Sequence, residues 1–325
     1  METFLGLDFG GTKLLIGEVD RNGNILASKR YTTGYVNQQA AVDIIKSSLV
    51  DYMATTACDD RHISAIGIGM IGRVDSAAGQ WLQIDLDRSQ PINLAAEISE
   101  VFDIPCFLSN DVKSATTAEQ RWGYGRLSNN YIYINVGTGI AAGTVVDGRL
   151  IGGSHFNAGE VGHTQVGVRT GVKCCCGRTD CVEAIASGSG FDRCARLLHD
   201  QYPDTALEIP RERRVDVRQV YDLARRGDAL CTVLVENASL AIANLIMNMV
   251  RVSDPDTIVL GGGIVSDPMM FTNILQRLHQ HTMRFVTNGV VLTKLDPAYA
   301  GLLGAAAVAL KGFEETVSLK EETLS

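Results

Sequence analysis

The sequence predicts an α/β protein made of two similar sheet-based halves, and three observations carry that expectation. A strand, a Gly/Thr turn, a second strand, an Asp/Gly turn and a third strand span residues 4–31. The same order returns about 127 residues later, over 131–151. A third glycine turn, Gly261-Gly262-Gly263, also follows a short apolar strand. Glycine makes up 33 of 325 residues, about 10% against an ordinary ~7%. The alternative is two unrelated hairpins in a mixed α/β protein.

Taken in order, Phe4–Leu7 is an apolar strand that ends at Asp8-Phe9-Gly10-Gly11-Thr12-Lys13. Leu14–Val19 and Ile25–Tyr31 are the next strands, joined by Asp20-Arg21-Asn22-Gly23. Residues 39–57 place Ala40, Val42, Ile44, Ile45, Leu49 and Met53 at helical spacing. Ile63–Met70 is a buried strand, Leu94–Phe102 a helix, Pro105–Leu108 a strand and Val112–Trp122 a helix. The second half opens with strand Tyr131–Val136, turn Gly137-Thr138-Gly139-Ile140 and strand Ala141–Val146. Asp147-Gly148 is a two-residue hairpin turn before Arg149–Ile151. Val215–Ala224 and Ala229–Val250 are helices, Thr257–Leu260 a strand, Met269–His279 a helix and Val290–Leu295 a strand. Leu302–Leu310 is an Ala-rich helix, and Gly312–Ser325 a charged tail expected to fray.

Composition removes several function classes. Hydrophobic residues are 46% and charged residues 20%, an ordinary globular balance that excludes disorder and collagen. The net charge of −8 and the lack of a Lys/Arg cluster speak against a duplex-binding face, so no nucleic-acid partner is expected. The first residues, Met-Glu-Thr-Phe-Leu-Gly, do not form a secretory signal. Ala241–Val250 is broken by Asn244 and Asn248, so no membrane span is expected and the location is read as cytoplasmic. Cys58, Cys106, Cys194 and Cys231 stand singly among apolar neighbours, as reduced buried thiols do.

Three turns are candidates for holding nucleotide phosphates: Gly10, Gly11, Thr12 and Lys13; Gly137, Thr138 and Gly139; Gly261, Gly262 and Gly263. Glycine lets backbone N–H groups approach phosphate oxygens, threonine adds a hydroxyl and Lys13 a positive charge. None has the Walker order, and the first two lead into a strand rather than a helix, which argues against a dinucleotide fold. Asp8, at a strand end, either holds a Mg²⁺ shell through water or caps its own turn. Asp111 follows Asn110 at the start of a helix. It is either a capping residue or the carboxylate that receives a proton from an attacking hydroxyl.

The remaining cysteines are dense. His163 with Cys174, Cys176 and Cys181 makes a Cys₃His set suited to structural, tetrahedral Zn²⁺, with Cys175 as a spare able to swap. The alternative is a group of free thiols in a loop. A closed site would fix His163 and hold Glu160 and Glu183 near it.

Together Asp8–Lys13, Asn110-Asp111, Gly137–Ile140, Glu160-Val161-Gly162-His163, Cys174/Cys176/Cys181-Val182-Glu183, Gly261–Gly263 and Gly301–Ala306 resemble the ROK family of repressors, open reading frames and sugar kinases. The resemblance implies an actin-like ATPase (ribonuclease H-like) fold with two lobes around a central cleft. The N-terminal lobe would be 1–117 plus 303–325, and the C-terminal lobe 118–302. It implies ATP, Mg²⁺, structural Zn²⁺, a sugar acceptor and a homodimer. Asp111 takes the general-base role, and Asn110, Glu160, His163 and Glu183 become sugar contacts. Gly10–Lys13, Gly137–Gly139 and Gly261–Gly263, with Asp8, bind ATP. The chain departs from the pattern at Ile71 and Arg73, which replace prolines, at Asp85 in place of a sugar-facing Asn within Ile84-Asp85-Leu86, and at Asp180 in place of Gly.

The implied activity is transfer of the γ-phosphate to the 6-hydroxyl of a hexose or N-acetylhexosamine, of the glucose or N-acetylmannosamine type. The alternatives are a sugar-binding ROK protein that has lost catalysis and a regulatory, repressor-like member.

Overall fold

The structure, a computed structural model, describes residues 1–34, 36–57, 60–85 and 87–324, with side chains as far as Leu319. Cys58 and Leu86 therefore lie outside the described residues. The chain runs β1 (Glu2–Phe9), β2 (Lys13–Val19), β3 (Ile25–Thr32), α1 (Gln38–Thr55), β4 (His62–Met70), β5 (Arg73–Asp75), β6 (Gln80–Gln83), α2 (Leu94–Phe102), β7 (Cys106–Asn110) and α3 (Asp111–Trp122). It continues with β8 (Tyr131–Val136), β9 (Ile140–Val146), β10 (Arg149–Leu150), α4 (Val182–Ala186), α5 (Gly188–Leu198), α6 (Val217–Arg225) and α7 (Ala229–Ser253). The last elements are β11 (Thr257–Gly261), α8 (Pro268–Gln276), α9 (Gln280–Met283), β12 (Gly289–Leu292) and α10 (Ala300–Leu324).

Two compact units result. The first holds residues 1–127, 152–158 and 294–325; the second holds 128–151 and 159–293. Each is built on one five-stranded sheet, in the orders β3-β2-β1-β4-β7 and β10-β9-β8-β11-β12. In both sheets the first three strands pair antiparallel, and the next two add in parallel beside the first. The repeat expected from the turns is thus a repeat of topology, and the reading as unrelated hairpins is set aside. The Asp147-Gly148 turn has φ +49° and +74°, the left-handed pair that a two-residue hairpin requires.

In the first unit, α10 lies on β1 and β4 with almost no spacing. A Cβ at Gly67 would sit 1.9 Å from the Ala305 carbonyl oxygen, and one at Gly6 would sit 2.5 Å from that of Leu302. Glycine at these two strand positions is what allows backbone to pack on backbone. The remainder of the core is apolar in the usual way, with Leu5, Leu7, Ile66 and Ile68 fully buried.

Two expectations are corrected here. Gly312–Ser325 does not fray from its start, because α10 continues to Leu324. Arg21 and Arg121 both reach Glu314, and Phe313 meets Phe4 edge-on at 5.7 Å. The asparagines of α7 also fail to break its apolar run. By length and composition alone, α7 is the one helix among the described residues that qualifies as a membrane span, although 61% of the qualifying window is buried. Asn244 is accommodated by donating to the Val166 carbonyl at 2.9 Å, and Leu234, Ala238, Ile242 and Ile246 pack in the core of the second unit.

Candidate functional site

In the first unit the strand register brings the candidate residues to one end of the sheet. Phe9 is level with Met70, and Met70 with Asn110, so the Gly10–Lys13 turn, Gly72 and Asp111 all follow carboxyl ends of parallel neighbours. Open α/β sheets bind ligands at such ends. The turn is closed by the Gly10 N–H donating to the Lys13 carbonyl at 2.9 Å. Gly11, Thr12 and Lys13 are exposed, and Lys13 makes no ion pair among the described residues. Asp8 lies just beneath. Burial pushes its carboxyl above the usual carboxylate range, with Arg30 pulling the other way. The first turn of α10 can approach it only because residue 301 is glycine, where a Cβ would be 2.3 Å from the carboxylate.

The capping reading of Asp111 is corrected. Asn110 is the N-cap of α3, accepting from the backbone of Val112 at 3.0 Å and Lys113 at 3.2 Å. Its Nδ2 donates to the Gly72 carbonyl at 3.0 Å. Asp111 is the first helical residue, and its Oδ1 accepts from the Val112 N–H at 2.9 Å. One residue unmarked by the sequence supports this helix start. Lys113 is buried, and its Nζ donates to the carbonyls of Phe156 at 2.9 Å and Gly152 at 3.3 Å. It thereby ties the 152–158 segment to α3.

In the second unit, the Gly137–Gly139 and Gly261–Gly263 turns leave the neighbouring parallel strands β8 and β11 at the same end, with Gly261 level with Asn135. The two turns are joined, since Ile264 donates to the Val136 carbonyl. Gly262 has φ +93°, and a Cβ there would be 2.3 Å from that carbonyl. The start of α5 donates to the Gly137 and Thr138 carbonyls at 2.8 and 3.2 Å. Glu183, in the first turn of α4, accepts from the Ile140 N–H at 2.9 Å.

The Cys/His loop is drawn together by its own backbone. A tight turn at Gly177 (φ +87°) joins Cys174 N to Arg178 O at 2.8 Å, and Val182 N to Thr164 O bonds at 2.9 Å. One ligand atom from each of His163, Cys174, Cys176 and Cys181 lies within 4.8 Å of the other three. Cys174 Sγ is 3.4 Å from His163 Nδ1, and Cys176 Sγ is 3.6 Å from Cys181 Sγ. Two thiolates bound tetrahedrally at about 2.3 Å from zinc sit about 3.8 Å apart, so the four residues fit that ion. Hydrogen bonds from Arg178 hold the Cys176 thiol below the usual thiol range. His163 Nε2 is 4.0 Å from Glu160 Oε2.

The sequence model of the ROK family matches residues 4–312. The chain belongs to the ROK family. It is 26% identical to a glucokinase of Thermotoga maritima, over 94% of this chain and 96% of that protein. It is 32% identical to an N-acetylmannosamine kinase of Haemophilus influenzae, over 80% of each. The solved ROK glucokinase of Streptomyces griseus, in complex with glucose and AMPPNP, superposes with a TM-score of 0.75 at 25% identity, covering 95% of this chain and 99% of that one. The fold is accordingly the actin-like ATPase fold.

Two departures of this ROK chain have local explanations. Asp180 takes φ +56°, a left-handed position where the family pattern has glycine. Its Oδ1 accepts from Thr170 N, Thr170 Oγ1 and Gly171 N, so the aspartate offsets its backbone strain by fastening the loop. Asp85 accepts from Arg88 through both Nε and Nη2, and that guanidinium holds its carboxyl below the usual range.

Proposed function

We propose that this ROK protein is an ATP-dependent sugar kinase that transfers the γ-phosphate to the 6-hydroxyl of a hexose or N-acetylhexosamine. The observation that carries this reading is the pair of exposed Gly-Thr turns, each between the first two strands of a sheet of the same topology. Backbone amides, the Thr12 and Thr138 hydroxyls and the Lys13 ammonium would hold the phosphates, and Gly261–Gly263 would hold the adenosine side. Mg²⁺ enters with ATP, and its charge would favour the ionised form of Asp8 against the burial that opposes it.

Asp111 would align the sugar hydroxyl and accept its proton. Its place in the first turn of α3 stabilises the carboxylate and so weakens it as a base. That matters little for a loose phosphoryl-transfer transition state, where orienting the nucleophile dominates. Asn110, Glu160, His163 and Glu183 would bind the other hydroxyls. Zinc on His163, Cys174, Cys176 and Cys181 supplies a cross-link rather than a reacting centre, because protein ligands fill all four positions.

The deciding experiment couples ADP release to a panel of glucose, mannose, fructose, allose, N-acetylglucosamine and N-acetylmannosamine. Turnover that depends on the sugar and collapses in Asp111→Ala is expected. A panel without turnover, or undiminished turnover in Asp111→Ala, overturns the reading. Saccharide binding without turnover would favour the sugar-binding alternative.

A further inference from the structure

The four-ligand set leaves one loop cysteine over. Cys175 stands between two of the ligands, and its side chain is exposed. Its Sγ, a ring nitrogen of His163 and a carboxylate oxygen of Glu183 lie within 4.8 Å of one another. These residues come from separate places in the second unit: the short helical turn Val161–His163, the cysteine loop and the first turn of α4. None is fully buried, so the three atoms are open to an entering ion. Thiolate, imidazole and carboxylate together suit Zn²⁺ or a similar borderline-soft cation. Three such ligands leave a coordination position open, unlike the closed Cys₃His set.

We infer that His163, Cys175 and Glu183 form a second, open site for a thiophilic divalent cation, filled after the closed one. His163 belongs to both sets, so the later ion takes the ring nitrogen that the first leaves. It binds more weakly, since it has three protein ligands and faces a nearby positive charge. Glu183 gives the site a consequence. The same carboxylate holds the Ile140 N–H, and a Cβ at Gly139 would come within 2.6 Å of its Oε2. An ion drawing on Glu183 is therefore one residue contact away from the Gly137–Gly139 turn.

The test needs no turnover and so stands apart from the kinase reading. Full-length protein carrying one equivalent of zinc is dialysed against excess Zn²⁺, and bound metal is counted by elemental analysis. Wild-type protein is expected to gain a second equivalent, and Cys175→Ser to stay at one. Wild-type protein that stays at one equivalent, or Cys175→Ser that also gains a second, overturns the inference. A second arm uses only the wild-type chain. Cys175 should be alkylated by iodoacetamide at one equivalent of zinc and protected at two, as read by peptide mass spectrometry. Equal alkylation in both states overturns the site whatever the variant does.

Discussion

The Glu183 carboxylate accepts the backbone N–H of Ile140 at 2.9 Å, which fixes the exit of the Gly137–Gly139 turn from a separate helix. A bond to a charged acceptor of this kind contributes about 1.5–3 kcal/mol, roughly 10- to 100-fold in an equilibrium constant. Glu183→Ala is expected to raise the KM for ATP by about tenfold or more on that scale. Glu183→Gln keeps an acceptor oxygen and should lose less. Steady-state kinetics with ATP varied at saturating sugar check this. Equal ATP KM values in wild type and Glu183→Ala would remove the turn from the argument.

Asn110 and Asp111 are adjacent but separable. Asn110 caps α3, so Asn110→Ala should cost about 1 kcal/mol of stability, seen in urea denaturation. Asp111 is not the cap, so Asp111→Ala should lower kcat by about 10²- to 10⁴-fold, the usual worth of a positioned base, with a smaller stability loss. The reverse pattern, with stability lost at 111 and turnover untouched, would return Asp111 to a structural role.

How much of this was legible beforehand depended on whether the cause was local. The repeated turns were readable because glycine, threonine and aspartate dictate turn chemistry within a few residues. The Cys₃His set was readable because its spacing alone is unusual. The long α10 was not, because what holds its charged end is distant in sequence: Arg21 and Arg121 on Glu314, and the Phe107 ring against Gly312. Asp111 suggested a cap by composition, and only the geometry moved that role to Asn110. The short β5–β6 hairpin and the anchoring role of Lys113 had no periodic signal at all. Asp180 looked like a loss until its left-handed φ and its three hydrogen bonds were in view.

Strand glycines and turn glycines should respond differently. A Cβ at Gly67 would lie 1.9 Å from a helix backbone oxygen that cannot move alone. Gly67→Ala should therefore cost at least the ~1–3 kcal/mol typical of overpacking. A Cβ at Gly11 meets nothing within 4 Å, so Gly11→Ala should leave the melting temperature unchanged while weakening ATP binding. Calorimetry of the two variants, with ATP kinetics for Gly11→Ala, separates packing from phosphate approach. An unaltered melting temperature for Gly67→Ala would contradict the contact between α10 and β4.

Metal removal should act on stability before chemistry. Stripping the protein with a chelator, or substituting Cys176→Ser, should lower the melting temperature, and added Zn²⁺ should restore it only in the stripped wild type. Cys106→Ser, at a buried cysteine remote in sequence from the loop, serves as the control and should leave zinc content at one equivalent. Full zinc content in Cys176→Ser would exclude that thiol as a ligand.

Asp228 offers a pH-dependent test at the start of α7. Burial pushes its carboxyl up, but the N–H groups of Cys231 and Ala206 and the Thr205 hydroxyl outweigh this and hold it below the ordinary 3.8. A carboxyl lowered on folding contributes stability that is present above its unfolded pKa and is lost as pH falls through its folded one. At neutral pH, Asp228→Ala should therefore cost about 1–2 kcal/mol, the upper range for an N-cap. Towards about pH 3, below the unfolded value, the wild type loses that advantage and the gap between the two should narrow. Urea midpoints of both proteins at pH 7 and near pH 3 measure the gap directly. A difference that stayed constant across that range would mean that the ionised carboxylate is not what holds α7 to the 205–206 segment.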